Sequence, residues 1–108
     1  MSNIKGVGPR TKIVSNDKGG QQSELPYRFD LIPPEVMFAI ARVFAQGAKK
    51  YELNNWLKIA RHDHLNHAEA HLQAYKAGDT QDEHLEHFVV RAIMGLAVKE
   101  DGFPYAKT

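Results

Sequence analysis

Residues 63–98 read DHLNHAEAHLQAYKAGDTQDEHLEHFVVRAIMGLAV, and the spacing within this stretch sets the fold class. At ~100° per residue, Leu65, Ala68 and Leu72 fall on one helical stripe, and His64, His67, His71 and Tyr75 on the stripe beside it. Asp63 suits an N-cap and Gly78 a helix stop, so the pattern predicts a helix over 63–77. Thr80-Gln81-Asp82-Glu83 has the form of a capping box and predicts a further helix over 81–99. On that helix Leu85, Phe88, Val89, Ala92, Ile93 and Leu96 face one way. Glu83, His87 and Arg91 form a ladder on another face, with His84 between. Val90, Met94, Ala97 and Val98 make a second apolar strip, expected to be an interface. The short connection favours antiparallel packing of the two helices.

The segment before this pair predicts a helix over 33–51. Proline is at home in a first turn, and Glu35 complements the positive end of the helix dipole. Val36-Met37-Phe38-Ala39-Ile40-Ala41 is apolar on every side, which demands cover on more than one face. Gly47 costs about 1 kcal/mol relative to alanine in a helix interior, so it is expected to mark a close backbone approach. Residues 1–24 are polar and glycine-rich and read as an arm with at most one short strand, around Thr11–Ser15. The expected organisation is an arm over 1–24 and a helical domain over 25–108. The fold class is all-α: a small antiparallel helical bundle completed by oligomerisation, with an irregular N-terminal arm.

Composition narrows the function. The chain has 108 residues, 43% of them hydrophobic, which suits one domain with a modest core. No cysteine is present, which excludes disulfides and thiolate metal sites. No apolar run reaches ~18 residues, so no membrane span is expected, and the N-terminus lacks a secretory signal's apolar segment. Net charge is +1, which argues against a duplex nucleic acid partner.

The six histidines, all between His62 and His87, are the outlier. His67 and His71 lie four apart on one helix face and can share a metal or ligand. Across the turn, Asp82, Glu83, His84 and His87 open the next helix, where antiparallel packing brings them near. Bundles build metal sites from such facing side chains, yet histidines beside an apolar stripe also serve as hydrogen-bonded packing groups. Lys49 and Lys50 close the first helix near Trp56. The helix dipole alone favours them there, while phosphate binding with Trp56 stacked on a base is the functional alternative. Gly19-Gly20 lacks the spacing of a phosphate loop. His62-Asp63 has the pairing of an HD-type phosphohydrolase, but no histidine precedes it to complete such a site.

The segments NDKGGQQSELPYRFDLIPPE (16–35), GAKKYELNNW (47–56), LNHAEAHLQAYKAGD (65–79) and DEHLEH (82–87) occur in order with short spacers. Together they resemble the phage-encoded dATP/dGTP diphosphohydrolase N-terminal domain family, linked to the MazG-like all-α nucleotide pyrophosphatases, over about residues 11–99. The resemblance implies a helical oligomer that hydrolyses purine (deoxy)nucleoside triphosphates to monophosphate and pyrophosphate with Mg²⁺ or Mn²⁺. It also implies a cytoplasmic location, in the host if the chain is phage-encoded. MazG-like enzymes hold their metals with Glu-x-x-Glu and Glu-x-x-Asp pairs. Here His67 and His71 stand where carboxylates are expected, and imidazole suits transition metals better than Mg²⁺.

On this reading Glu35, Asp82 and Glu83 are the catalytic carboxylates. His67, His71, Glu83 and His87 are the metal ligands. Arg28, Lys49, Lys50, Trp56 and His84 bind nucleotide, and the partners are a small nucleotide and further copies of the chain. Two alternatives stand beside it: a protein that sequesters a nucleotide or nucleotide signal without turnover, and a structural helical oligomer.

Overall fold

A computed structural model describes residues 4–98. The chain divides into two compact units, Met1–Pro33 and Pro34–Thr108.

In the first unit, strands β1 (Ile13–Ser15) and β2 (Gln21–Ser23) form an antiparallel hairpin with Val14 opposite Gln22. The arm therefore carries two strands where at most one was expected. β2 is Gln-Gln-Ser, which has no apolar alternation to reveal it. The turn supplies the missing signal. Asn16 Oδ1 accepts from the backbone N–H groups of Lys18 and Gly20, each at 2.9 Å, while Asn16 N–H donates to Gly20 O. Such a side-chain turn closes the loop without help from the strands. A short 3₁₀ turn follows at Phe29–Leu31, beside the two-point ion pair of Arg28 and Asp30.

The second unit contains α1 (Pro34–Lys50), a 3₁₀ turn (Asn55–Lys58), α2 (Arg61–Lys76) and α3 (His84–Ala97). The three expected helices are present, and the chain is mostly helical. No helix among the described residues is long and apolar enough to cross a membrane. α2 and α3 pack as an antiparallel hairpin, with His71 beside His84 at one end and Leu65 beside Gly95 at the other.

The helix ends differ from expectation in instructive ways. α2 begins at Arg61, with Ala60 rather than Asp63 as its N-cap. Asp63 sits inside the first turn, where its charge still favours the helix dipole. At the other end, Gly78 takes φ +82°, a conformation that costs glycine little. Asp79 N–H reaches Ala74 O and Gly78 N–H reaches Tyr75 O, the paired bonds of a Schellman stop. α3 begins at His84, and the capping box does not form: Glu83 is the N-cap and makes no side-chain capping bond. The Glu83 carboxylate instead meets Arg42 of α1 at 2.9 Å, and Asp82 Oδ1 accepts from Glu83 N–H. The expected end of this helix at residue 99 lies outside the described residues.

The core is small: Val43, Ala68, Val90 and Val98 are its buried apolar residues, and His64 is fully buried among them. The second strip on α3 is thus not the free surface expected of it. Val90 and Val98 are inside the unit, and Met94 lines a cavity. The close backbone approach falls at Gly95 rather than Gly47. A Cβ at Gly95 would sit 3.0 Å from Leu65 Cδ2, whereas one at Gly47 would meet nothing within 4 Å. Arg61 ties the same end together, donating to Gly95 O and Val98 O at 2.6 Å each. Charge-assisted bonds of this kind serve carbonyls at the C-terminal end of α3 and at its cap.

Candidate functional site

A cavity of about 750 Å³ opens between α1, the 51–59 segment and the α2–α3 hairpin. This is within the range of roughly 300–1,000 Å³ found for small-molecule sites. Its apolar lining includes Val43, Phe44, Trp56, Ile59 and Met94. Asn54 and Asn55 stand beside it, Asn54 in the left-handed region at φ 62°, which asparagine tolerates. Its polar lining includes His67, His71, Asp82, His87 and Arg91.

The polar lining follows from the hairpin. His71 is in the last turns of α2, the Gly78 stop reverses the chain, and Asp82 and His87 return on the facing side. Among the described residues, His71, Asp82 and His87 form the one group with metal-ligand character, each offering a donor atom within 4.8 Å of the others. The His71 and His87 rings stack with centroids 5.0 Å apart, and His87 Nε2 lies 3.5 Å from Asp82 Oδ1. Two imidazoles and one carboxylate fit a divalent transition ion such as Mn²⁺ better than Mg²⁺, which prefers oxygen donors.

Behind this group runs a hydrogen-bonded line. Asp79 Oδ2 accepts from His84 Nε2–H, and His84 Nδ1 lies 2.9 Å from His71 Nδ1. A carboxylate only accepts, so the His84 proton sits on Nε2. Where His84 Nδ1 carries its lone pair, His71 Nδ1–H is the donor. His71 Nε2 is then left with its lone pair free for a ligand. Burial holds the His71 pKa below the usual histidine range, which favours its neutral form. Asp79 is held low by its bond to His84. Carboxylate-to-histidine lines of this type orient metal-binding imidazoles.

A second buried line crosses the unit. His64 Nε2–H donates to Trp56 O at 2.9 Å, and Arg91 Nη1 donates to His64 Nδ1 at 3.0 Å. With one nitrogen donating and the other accepting, His64 is neutral and locked in one tautomer. Burial lowers its pKa, with the Trp56 carbonyl opposing. Trp56 packs edge-on against Phe44, 5.8 Å between centroids.

His64 also sets a pH dependence. Its folded pKa lies below its unfolded value near 6.5, so on acidification the unfolded chain takes up the proton first. Stability is therefore full above about pH 6.5 and falls below it, by up to about 1.4 kcal/mol per pH unit for each such group. His71 pushes in the same direction. Urea midpoints at pH 7.5 and 5.5 should show the loss, and His64→Gln should flatten it. A midpoint that does not move between these pH values would contradict the assignment.

His71, Asp82 and His87 come together. Lys50, Trp56 and His67 line the same cavity, and His84 stands directly behind His71. Glu35, Lys49 and Glu83 do not line it, and Glu83 is engaged by Arg42. Arg28 belongs to the first unit, where Asp30 holds it. Sequence reasoning passed over Asp79, His64 and Arg91 as functional groups. Arg91 had a usable signal, because it is four residues from His87 on the same helix face.

Fold and cavity define a small three-helix domain with a histidine-lined pocket. Residues 16–105 match the family described as dATP/dGTP diphosphohydrolase, N-terminal, and the chain belongs to this family. The family's name points to a nucleotide diphosphohydrolase, a class of hydrolase. Neither a curated protein nor a solved structure matches the chain.

Proposed function

We propose that the second unit binds a purine deoxynucleoside triphosphate and that water attacks its α-phosphorus, releasing nucleoside monophosphate and pyrophosphate. The observation that carries this reading is the convergence of His71, Asp82 and His87 in a cavity also lined by Trp56, Phe44 and other apolar side chains. The base would lie against Trp56 and Phe44, with the Asn54 and Asn55 amides near its polar edge. Lys50 and Arg91 would face the phosphates. The cavity's charged residues are Lys50 and Arg91 against Glu52 and Asp82, and Lys58 already pairs with Glu52. A divalent ion held by His71, Asp82 and His87 would turn this balance positive and suit a polyanion. When bound, such an ion offsets charge on phosphate oxygens and lowers the pKa of water. Asp79 and His84 would keep the His71 lone pair available.

A sequestering role draws on one observation. Asp82 is the sole carboxylate of the candidate ligand group, and the other on the cavity wall, Glu52, is held by Lys58. Neither is a free general base. Incubating the purified protein with a nucleotide panel and Mn²⁺ or Mg²⁺, then separating bound from converted species, decides between the readings. Conversion of dATP or dGTP to monophosphate and pyrophosphate is the expected result, faster with Mn²⁺. Retention without conversion would establish sequestration, and neither would remove the nucleotide reading.

Assembly of several copies belongs to the same proposal. Phe38 is 78% and Leu96 81% exposed, and Val36 and Met37 are exposed beside Phe38 on α1. Apolar surface of this kind is commonly covered by a second subunit. Light scattering at micromolar concentration should give a dimer or larger mass, and Phe38→Lys should reduce it. A monomer mass for the unaltered protein would count against assembly.

A further inference from the structure

We propose that Arg91 is a phosphate-binding residue of the cavity, and that the buried His64 is the positioning residue that aims it. The proposal rests on the nucleotide reading for its ligand and names an anion contact within that site. Its chemical target is the di- or triphosphate group, whose oxygens accept the fork of N–H donors that a guanidinium presents.

Three other arginines are already engaged. Arg28 is neutralised by Asp30, Arg42 by Glu83, and Arg61 donates to the carbonyls of Gly95 and Val98. Each has an oxygen partner that explains its place. Arg91 differs: among the described residues it forms no ion pair, and its hydrogen-bond partner is the Nδ1 lone pair of His64. A neutral imidazole accepts a bond without cancelling the charge. Arg91 therefore keeps its full positive charge and most of its five N–H donors while lining the cavity. Burial pulls the Arg91 pKa below the usual arginine value, and Asp63 opposes this from a distance without pairing with it.

Holding an unneutralised guanidinium in a half-buried place is costly for stability alone. A leucine or methionine would fill the same space without that cost. The cation makes physical sense if an anion arrives to meet it. His64 supplies the aim. Its Nε2–H is fixed on the Trp56 carbonyl, so Nδ1 can only accept, and the Arg91 side chain is fastened at one nitrogen. The bond also links the phosphate side of the cavity to the loop bearing Trp56. Arg91 lies one helical turn beyond His87, so a phosphate chain held by Arg91 would pass the His71–Asp82–His87 group.

The test uses inorganic triphosphate as probe, with a chelator present, and calorimetry on the full chain. Arg91→Gln should weaken triphosphate binding about 10-fold or more, and Arg91→Lys should recover part of the loss. His64→Gln should weaken it as well, although His64 touches no ligand. Mn²⁺ affinity, measured separately by electron paramagnetic resonance, should be unchanged or tighter in Arg91→Gln, because a neighbouring positive charge is gone. A merely structural role for Arg91 would lower triphosphate and Mn²⁺ affinity together, and that result overturns the proposal. So does unchanged triphosphate affinity in both Arg91 variants, or no triphosphate binding by the unaltered protein. If triphosphate binds through Arg91 but no nucleotide is converted, the phosphate site stands and the hydrolase reading falls.

Discussion

Replacing His71 or His87 by alanine is expected to lower Mn²⁺-dependent nucleotide conversion by roughly 100-fold or more, with helicity retained. The size follows from their position. Loss of groups that only orient a metal-binding imidazole typically costs 10–100-fold in metal affinity or activity, so loss of the imidazole itself should cost at least as much. Asp79→Ala tests the line behind His71 and should cost about 10-fold, by freeing His84 to rotate and leaving the His71 tautomer unset. Half-buried His71 also packs on His87, so its removal carries a stability cost of its own. Calorimetry separates the two effects. A lower melting temperature with unchanged Mn²⁺ affinity in His71→Ala would mean that the histidines are packing groups.

Gly95→Leu should destabilise the protein by about 1–3 kcal/mol as overpacking. At this position α2 and α3 touch: an added Cβ would already press Leu65 Cδ2 at 3.0 Å and come within 3.6 Å of His64 Cβ. A larger side chain must part the helices, disturb the Arg61 bonds to Gly95 O and Val98 O, and shift His64. Gly47→Ala is the control. Its Cβ enters open space, so it should gain up to about 1 kcal/mol from helix propensity. Denaturant midpoints of the two variants should move in opposite directions. Equal loss in both would show that Gly95 is not a packing contact.

These two glycines illustrate what hydrophobic periodicity can and cannot see. The apolar spacing of Val43, Ala68, Val90 and their neighbours announces the three helices. A glycine within a helical run looks the same in sequence whether it faces a partner or open space, and here Gly95 rather than Gly47 marks the contact. The polar strand Gln21–Ser23 was hidden for a related reason, since the Asn16 side chain, not apolar alternation, sets its register. At the site, four-residue spacing and the Gly78 reversal were enough to suggest that histidines from α2 would meet α3. The roles within the cluster depend on direction. The Asp82–Glu83 pair looks interchangeable in sequence, yet one carboxylate lies with His71 and His87 and the other reaches Arg42. His64 shares a stripe with His67 and His71, and only packing reveals it as the buried link between Trp56 and Arg91.

Pulsed electron paramagnetic resonance of Mn²⁺ bound to the full chain tests the central claim most directly, because it reports the ligand atoms themselves. The claim that His71, Asp82 and His87 hold the metal predicts nitrogen modulation from two imidazoles at one ion per chain. That modulation should weaken in His71→Ala and in His87→Ala and persist in Arg91→Gln. Tight Mn²⁺ binding without nitrogen modulation, or with modulation indifferent to both histidine variants, would contradict it.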